Sequence, residues 1–185
     1  RKLGSIGIPI PSTEARIVSL TDPNQEAEPG HLGELALRGP QVMQGYWNDE
    51  NATAEAISKD GWLLSGDVAQ MDEQGYFRIV ARKADMWYPA KPGDPAFPRD
   101  VEEVLYEVPQ VKEATVVAIA GKPIAFIIPG RERPSKEMLQ EYCKRRLPPE
   151  LVPRVFLFVD EFPRSFFGRV LRRELIAKYD EYEPA

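Results

Sequence analysis

Polar and apolar residues alternate over residues 15–20, Ala-Arg-Ile-Val-Ser-Leu, the period of a strand with one buried face. Asp22-Pro23-Asn24 then supplies a turn. A second alternating run, residues 33–39, is bounded by Gly33 and Gly39. Residues 50–57 predict a short helix, with Asn48 or Asp49 as its cap. Residues 61–64, a turn at 72–75 and residues 76–80 give a strand–turn–strand pattern. Several short strands punctuated by turns predict a β-rich, barrel-like subdomain over residues 1–82.

The pattern changes after Arg82. Residues 86–98 hold four prolines (Pro89, Pro92, Pro95, Pro98), which predicts a loop or linker. Residues 99–108 then place Val101, Val104, Leu105 and Val108 on one helical face. Residues 114–119 and 124–128 read as buried strands around a turn at Gly121-Lys122-Pro123. Ser135 caps a predicted helix to about Leu147, with an apolar stripe of Met138, Leu139, Tyr142, Cys143 and Leu147. Residues 155–159 form a third strand, and 171–182 a last helix. Helix, strand, strand, helix, strand, helix predicts a small α+β domain over residues 87–185.

Composition narrows the field. The 185 residues are 43% hydrophobic and 29% charged, ordinary for a soluble globular protein. A net charge of -5 argues against a general nucleic-acid binder, which is usually basic. Cys143 is the single cysteine and His31 the single histidine, so neither an intramolecular disulfide nor a zinc site is expected. No apolar run reaches the roughly 20 residues of a membrane helix, and no signal peptide is visible. A cytoplasmic location is the expectation. The opening on Arg1 within structured sequence leads to the expectation of a fragment.

Candidate chemistry sits at both ends of the chain. Ser65-Gly66-Asp67 reads alone as a turn, yet a fixed carboxylate also accepts hydrogen bonds from both hydroxyls of a ribose. Its surroundings favour the second reading. Gly61-Trp62-Leu63-Leu64-Ser65-Gly66-Asp67 resembles the Gly-Trp-(Leu/Phe)-x-Thr-Gly-Asp motif of the adenylate-forming (AMP-binding) acyl-CoA synthetases. Residues 75–85, from Gly75-Tyr76-Phe77 to Arg82-Lys83-Ala84-Asp85, resemble the motif that follows it in that family. Gly4-Ser5-Ile6-Gly7, Gly33-Glu34-Leu35 and Gly45-Tyr46 match upstream motifs. Val101-Glu102-Glu103-Val104-Leu105 and Val152-Pro153-Arg154 match downstream ones. Residues 163–175, Pro-Arg-Ser-Phe-Phe-Gly-Arg-Val-Leu-Arg-Arg-Glu-Leu, resemble its last motif, Pro-Arg-Thr-x-x-Gly-Lys-(Ile/Val)-x-Arg-Arg-Glu-Leu. The ordered set covers almost the whole chain.

The resemblance implies roles residue by residue. Asp67 would hold the ribose hydroxyls of ATP or an acyl-adenylate, and Arg82 would contact the ribose and phosphate side. A guanidinium suits that task, being always charged and rich in donors. Residues 83–86 would be the hinge between a large domain and a C-terminal lid, with Ala84 at the pivot and Asp85 after it. Arg169 stands where the family has its catalytic lysine. Two readings of it stay open, a phosphate contact and a surface charge beside Arg172 and Arg173. The family's glycine-rich loop for the pantetheine arm corresponds here to the proline-rich residues 87–98. Its connection between the two central lid strands is shorter here.

The implied reaction joins a carboxylic acid to ATP as acyl-AMP, then passes the acyl group to CoA. The run Val101–Leu105 inclines the comparison toward fatty-acid–CoA ligases. ATP or AMP and CoA are the expected ligands. Mg is expected with ATP, though no metal ligands are identifiable in the sequence. The family's phosphate loop and acyl pocket belong to a missing N-terminal domain, so the isolated chain is expected to be inactive. The alternative is a non-catalytic lid or interaction module diverged from the ligases.

Overall fold

Four strands build the first part of the chain: β1 (Glu14–Val18), β2 (Gly33–Arg38), β3 (Leu63–Met71) and β4 (Phe77–Arg82). They pair antiparallel in sequence order. In this computed structural model, residues 2–89 and 94–179 are described. The sheet is open, with β1 and β4 at its edges. The alternation in β1 sends Ile17 to one face and Val18 to the other. Ile17 joins Leu35, Ala69 and Phe77, whereas Val18 joins Ala36 and Trp62. The guanidinium groups of Arg16 and Arg38 lie over the Trp62 ring, 4.1 and 4.6 Å from its centroid. Helix α1 (Glu50–Ala56) is capped by Asp49, whose carboxylate accepts from the Ala52 N–H; none of its residues is buried.

The chain divides into two units, residues 1–84 and 85–185. The second contains α2 (Pro98–Tyr106), β5 (Val111–Ile119), β6 (Lys122–Pro129), α3 (Lys136–Lys144), β7 (Val155–Phe158) and α4 (Arg172–Ala177). Its sheet has the order β5-β6-β7, antiparallel then parallel. Both faces are covered, which explains the unbroken apolar runs in β5 and β6. Val116 and Ile127 pack with Val101, Leu105, Leu139 and Cys143 on one face. Val117 and Phe126 pack with Leu157, Phe162 and Leu175 on the other. The two units together make the mixed α+β architecture expected from the sequence.

Several local expectations shift. The β5–β6 turn is Ala120-Gly121, with φ of 50° and 73°, and Lys122-Pro123 begins β6. Two consecutive left-handed residues match the right-handed twist of a tight hairpin. Pro123 is tolerated because β7 pairs with β6 only from Ile124 onward. The proline-rich segment does not behave as a bare linker. Trp87 and Ala96 exchange backbone hydrogen bonds of 3.0 and 2.8 Å, and both are buried with Phe97. Pro98 opens α2, where a missing N–H costs nothing, and the Asp100 carboxylate accepts from the Phe97 N–H. Pro92 lies outside the described residues. So does Tyr182, where the last helix was expected to end; the described helix stops at Ala177.

Candidate functional site

Ser65-Gly66-Asp67 is not a turn between elements. It lies inside β3, at an irregularity in the β2–β3 pairing. Glu34 pairs with Val68 and Ala36 with Leu64, so Ser65, Gly66 and Asp67 all stand opposite Leu35. Such a bulge lifts residues off the ladder and re-aims their side chains. Gly66 has φ of 72°, a conformation open to glycine at little cost. The bulge is pinned from beneath: the buried carboxylate of Glu34 accepts from the Gly66 N–H at 3.0 Å. Ser65 Oγ accepts from the Asp67 N–H at 3.1 Å.

Asp67 and Arg82 are direct partners across β3 and β4. Arg82 Nε lies 3.0 Å from Asp67 Oδ1, and its Nη1 donates to the Ser65 carbonyl at 3.5 Å. The Asp67 side chain is 19% exposed and that of Arg82 46%. The structure therefore brings together the two residues singled out for nucleotide contact. It presents a hydrogen-bond acceptor beside a cation at the surface of unit 1. Hydroxyls that donate to a carboxylate and an anion that pairs with a guanidinium are the ligand groups this pair can take. A surface cavity of about 470 Å³ along Gln44–Asn48 and Thr53 includes neither residue.

Ala84 and Asp85 lie in a short 3-10 helix, Lys83–Asp85, which contains the boundary between the units. Ala84 is exposed and Asp85 half-buried. Lys83 Nζ reaches the second oxygen of Glu34 at 2.6 Å. Asp85 accepts from Arg172 at 3.3 Å, and Arg172 also donates to Glu102 at 2.8 Å. Glu102 in turn accepts from Thr115 Oγ1 and the Val116 N–H, tying α2 to β5. In the sequence Glu34 and Glu102 stand out only as members of the Gly33-Glu34-Leu35 and Val101–Leu105 runs. The available signal was an acidic residue inside an apolar strand or helix face, which requires a partner when buried.

Arg169 belongs to unit 2. It closes a braced loop in which Arg164 and Val170 pair, and Ser165 and Gly168 share a backbone hydrogen bond of 2.8 Å. Ser165 Oγ accepts from the Arg169 N–H, and the Ser165 N–H donates to the Arg169 carbonyl. Arg164 donates to the Gly168 carbonyl and pairs with Glu113, anchoring the loop to β5. The tip carries Phe166 and Phe167, 98% and 92% exposed, with Arg169 also exposed. No group of three or more His, Cys, Asp or Glu that could hold a metal occurs among the described residues. No helix among them is long and apolar enough to cross a membrane.

The chain belongs to the AMP-binding enzyme family. The family description "AMP-binding enzyme" matches residues 1–47, and "AMP-binding enzyme C-terminal domain" matches residues 100–168. A long-chain-fatty-acid–CoA ligase of Escherichia coli O157:H7 is 44% identical over 177 residues, covering 93% of this chain and 31% of the relative. A protein of the same name from Bacillus subtilis is 39% identical, covering 97% and 32%. The solved structure of O-succinylbenzoate coenzyme A synthetase (MenE) from Bacillus subtilis, in complex with AMP, superposes with a TM-score of 0.78 at 33% identity, covering 94% and 35%. The chain thus spans about a third of the length of these relatives.

Proposed function

We propose that this chain is the C-terminal portion of a fatty-acid–CoA ligase. Unit 1 supplies the ribose-side contacts of the nucleotide, and unit 2 is the lid that delivers Arg169. The observation that carries this reading is the Asp67–Arg82 pair at the pinned β3 bulge. Asp67 accepts from the two ribose hydroxyls, and Arg82 holds Asp67 in place while facing the phosphate side. Fixed donors and acceptors of this kind orient a reactant without reorganisation during the reaction.

In the first half-reaction the substrate carboxylate attacks the α-phosphorus of ATP, and pyrophosphate leaves. Arg169 sits opposite the charge that builds on phosphorus, as a delocalised planar cation in place of a compact ammonium. In the second half-reaction the CoA thiol takes the acyl group and AMP leaves; Mg would accompany ATP. The acyl pocket and phosphate loop belong to the preceding part of the protein, so residues 1–185 alone make no acyl-adenylate. The expected location is the cytoplasm.

Pyrophosphate release with ATP and a panel of carboxylic acids tests the reading. The isolated chain is expected to stay at background. Joined to the preceding sequence, it is expected to show activity that falls about 10²–10³-fold in Arg169→Ala. Undiminished adenylation in that variant would remove Arg169 from the mechanism. Activity of the isolated chain would contradict the division of labour.

A further inference from the structure

The three residues Lys83-Ala84-Asp85 are treated unequally by the molecule. Lys83 is held inside unit 1: its ammonium meets Glu34, whose side chain is only 5% exposed and which also pins Gly66. Asp85 is held inside unit 2 by Arg172, itself bound by Glu102. Asp85, Arg172 and Glu102 have side chains 23%, 23% and 14% exposed. Ala84 between them has a one-carbon, exposed side chain. Opening either ion pair strands charge that is largely out of water, which is costly. A change at the φ and ψ of Ala84 opens neither.

We propose that Glu34 and Arg172 are positioning residues that clamp the two flanks of Ala84, one from each unit, so that Ala84 alone is the pivot. The inference rests on the reading of unit 2 as a moving lid. It adds what confines the motion to Ala84. The holding charges sit one position to either side of Ala84. Glu34 has a second consequence. The same carboxylate sets the Gly66 bulge and hence Asp67, so the fixed side of the joint and the ribose-side acceptor share one anchor.

The test is the distance distribution between two nitroxide labels in the whole chain, with Cys143→Ala to remove the native thiol. One label is placed at Glu28→Cys in unit 1 and the other at Glu137→Cys in unit 2, both exposed positions. A control pair at Lys112→Cys and Glu137→Cys lies within unit 2. Ala84→Pro, which fixes φ, is expected to narrow the inter-unit distribution. Lys83→Met and Arg172→Met are each expected to broaden it. The control pair is expected to stay narrow in all of them, which a general loss of structure would not allow. Should a buried clamp variant fail to fold, Asp85→Asn opens the second clamp with its charge removed and is expected to broaden the distribution as well. An unchanged distribution in Ala84→Pro, or in the clamp variants, would overturn the proposal. The readout needs no catalysis. Expected distributions, together with no adenylate from the chain joined to its preceding sequence, would sink the proposed function and leave the pivot standing.

Discussion

The two units solve the same problem with unequal means. Unit 2 covers both faces of a three-stranded sheet, α2 and α3 on one and α4 with the 159–170 segment on the other. Phe126, Leu105, Ile127, Leu139 and Leu175 are fully buried there. Unit 1 has a longer sheet but two thin clusters, and α1 buries nothing. It leaves Leu3, Ile6, Ile8, Ile10 and Trp47 between 60% and 100% exposed. Large apolar side chains left in water are surface that a further body can cover. Unit 2 encloses a core of its own, whereas unit 1 leaves large apolar side chains uncovered. The chain's coverage of only a third of its relatives agrees with that difference.

The sharpest way to break this comparison is to separate the units. Residues 85–185 are expected to unfold in one cooperative transition. Residues 1–84 are expected to melt at lower temperature with a smaller enthalpy. Calorimetry of the whole chain should then show two transitions, and a single shared one would contradict the contrast. Next in size, Phe126→Ala should lower the stability of unit 2 by about 3–5 kcal/mol in urea titrations. It should leave the unit 1 transition where it was.

Helix caps give a smaller effect with a cleaner contrast. Ser135 Oγ accepts from the Met138 N–H at the start of α3, which buries Leu139 and Cys143. Ser135→Ala should cost unit 2 about 1 kcal/mol. Asp49→Ala removes the equivalent bond from α1, where no face is buried. Amide exchange should show α1 opening locally while the unit 1 transition barely moves.

The smallest effect is alkaline. Burial pushes the Cys143 thiol up to about 11, because the thiolate is disfavoured out of water. The folded state therefore keeps a proton that the unfolded state releases from about pH 9. Stability from this group is complete below that pH and is lost as pH rises toward 11. Cys143→Ala should flatten the pH dependence of the unit 2 transition in that window.

Periodicity made most of this architecture legible. The stripes of α2 and α3 are the faces that Val101, Leu105, Leu139 and Cys143 bury. What escaped were features set by pairing between distant residues. The Gly66-Asp67 step looks local, yet it is a bulge because Glu34 and Ala36 fix the register on either side. Trp87 and Phe97 sit among prolines, so their burial depended on a bridge that no short window displays. Glu34 and Glu102 are ordinary surface letters until their partners, Lys83 and Arg172, arrive from far along the chain. Asp67 and Arg82 were found because motif order carried them; strand register then put them face to face.

On the proposed function, unit 1 carries a preformed ribose-side nucleotide contact at Asp67 and Arg82. Titration of the ¹⁵N-labelled chain with AMP tests it directly, read at the amides of Gly66, Asp67 and Arg82. Shifts are expected at those three positions and are abolished in Asp67→Asn. Shifts that persist unchanged in Asp67→Asn, or none at those amides under millimolar AMP, would contradict it.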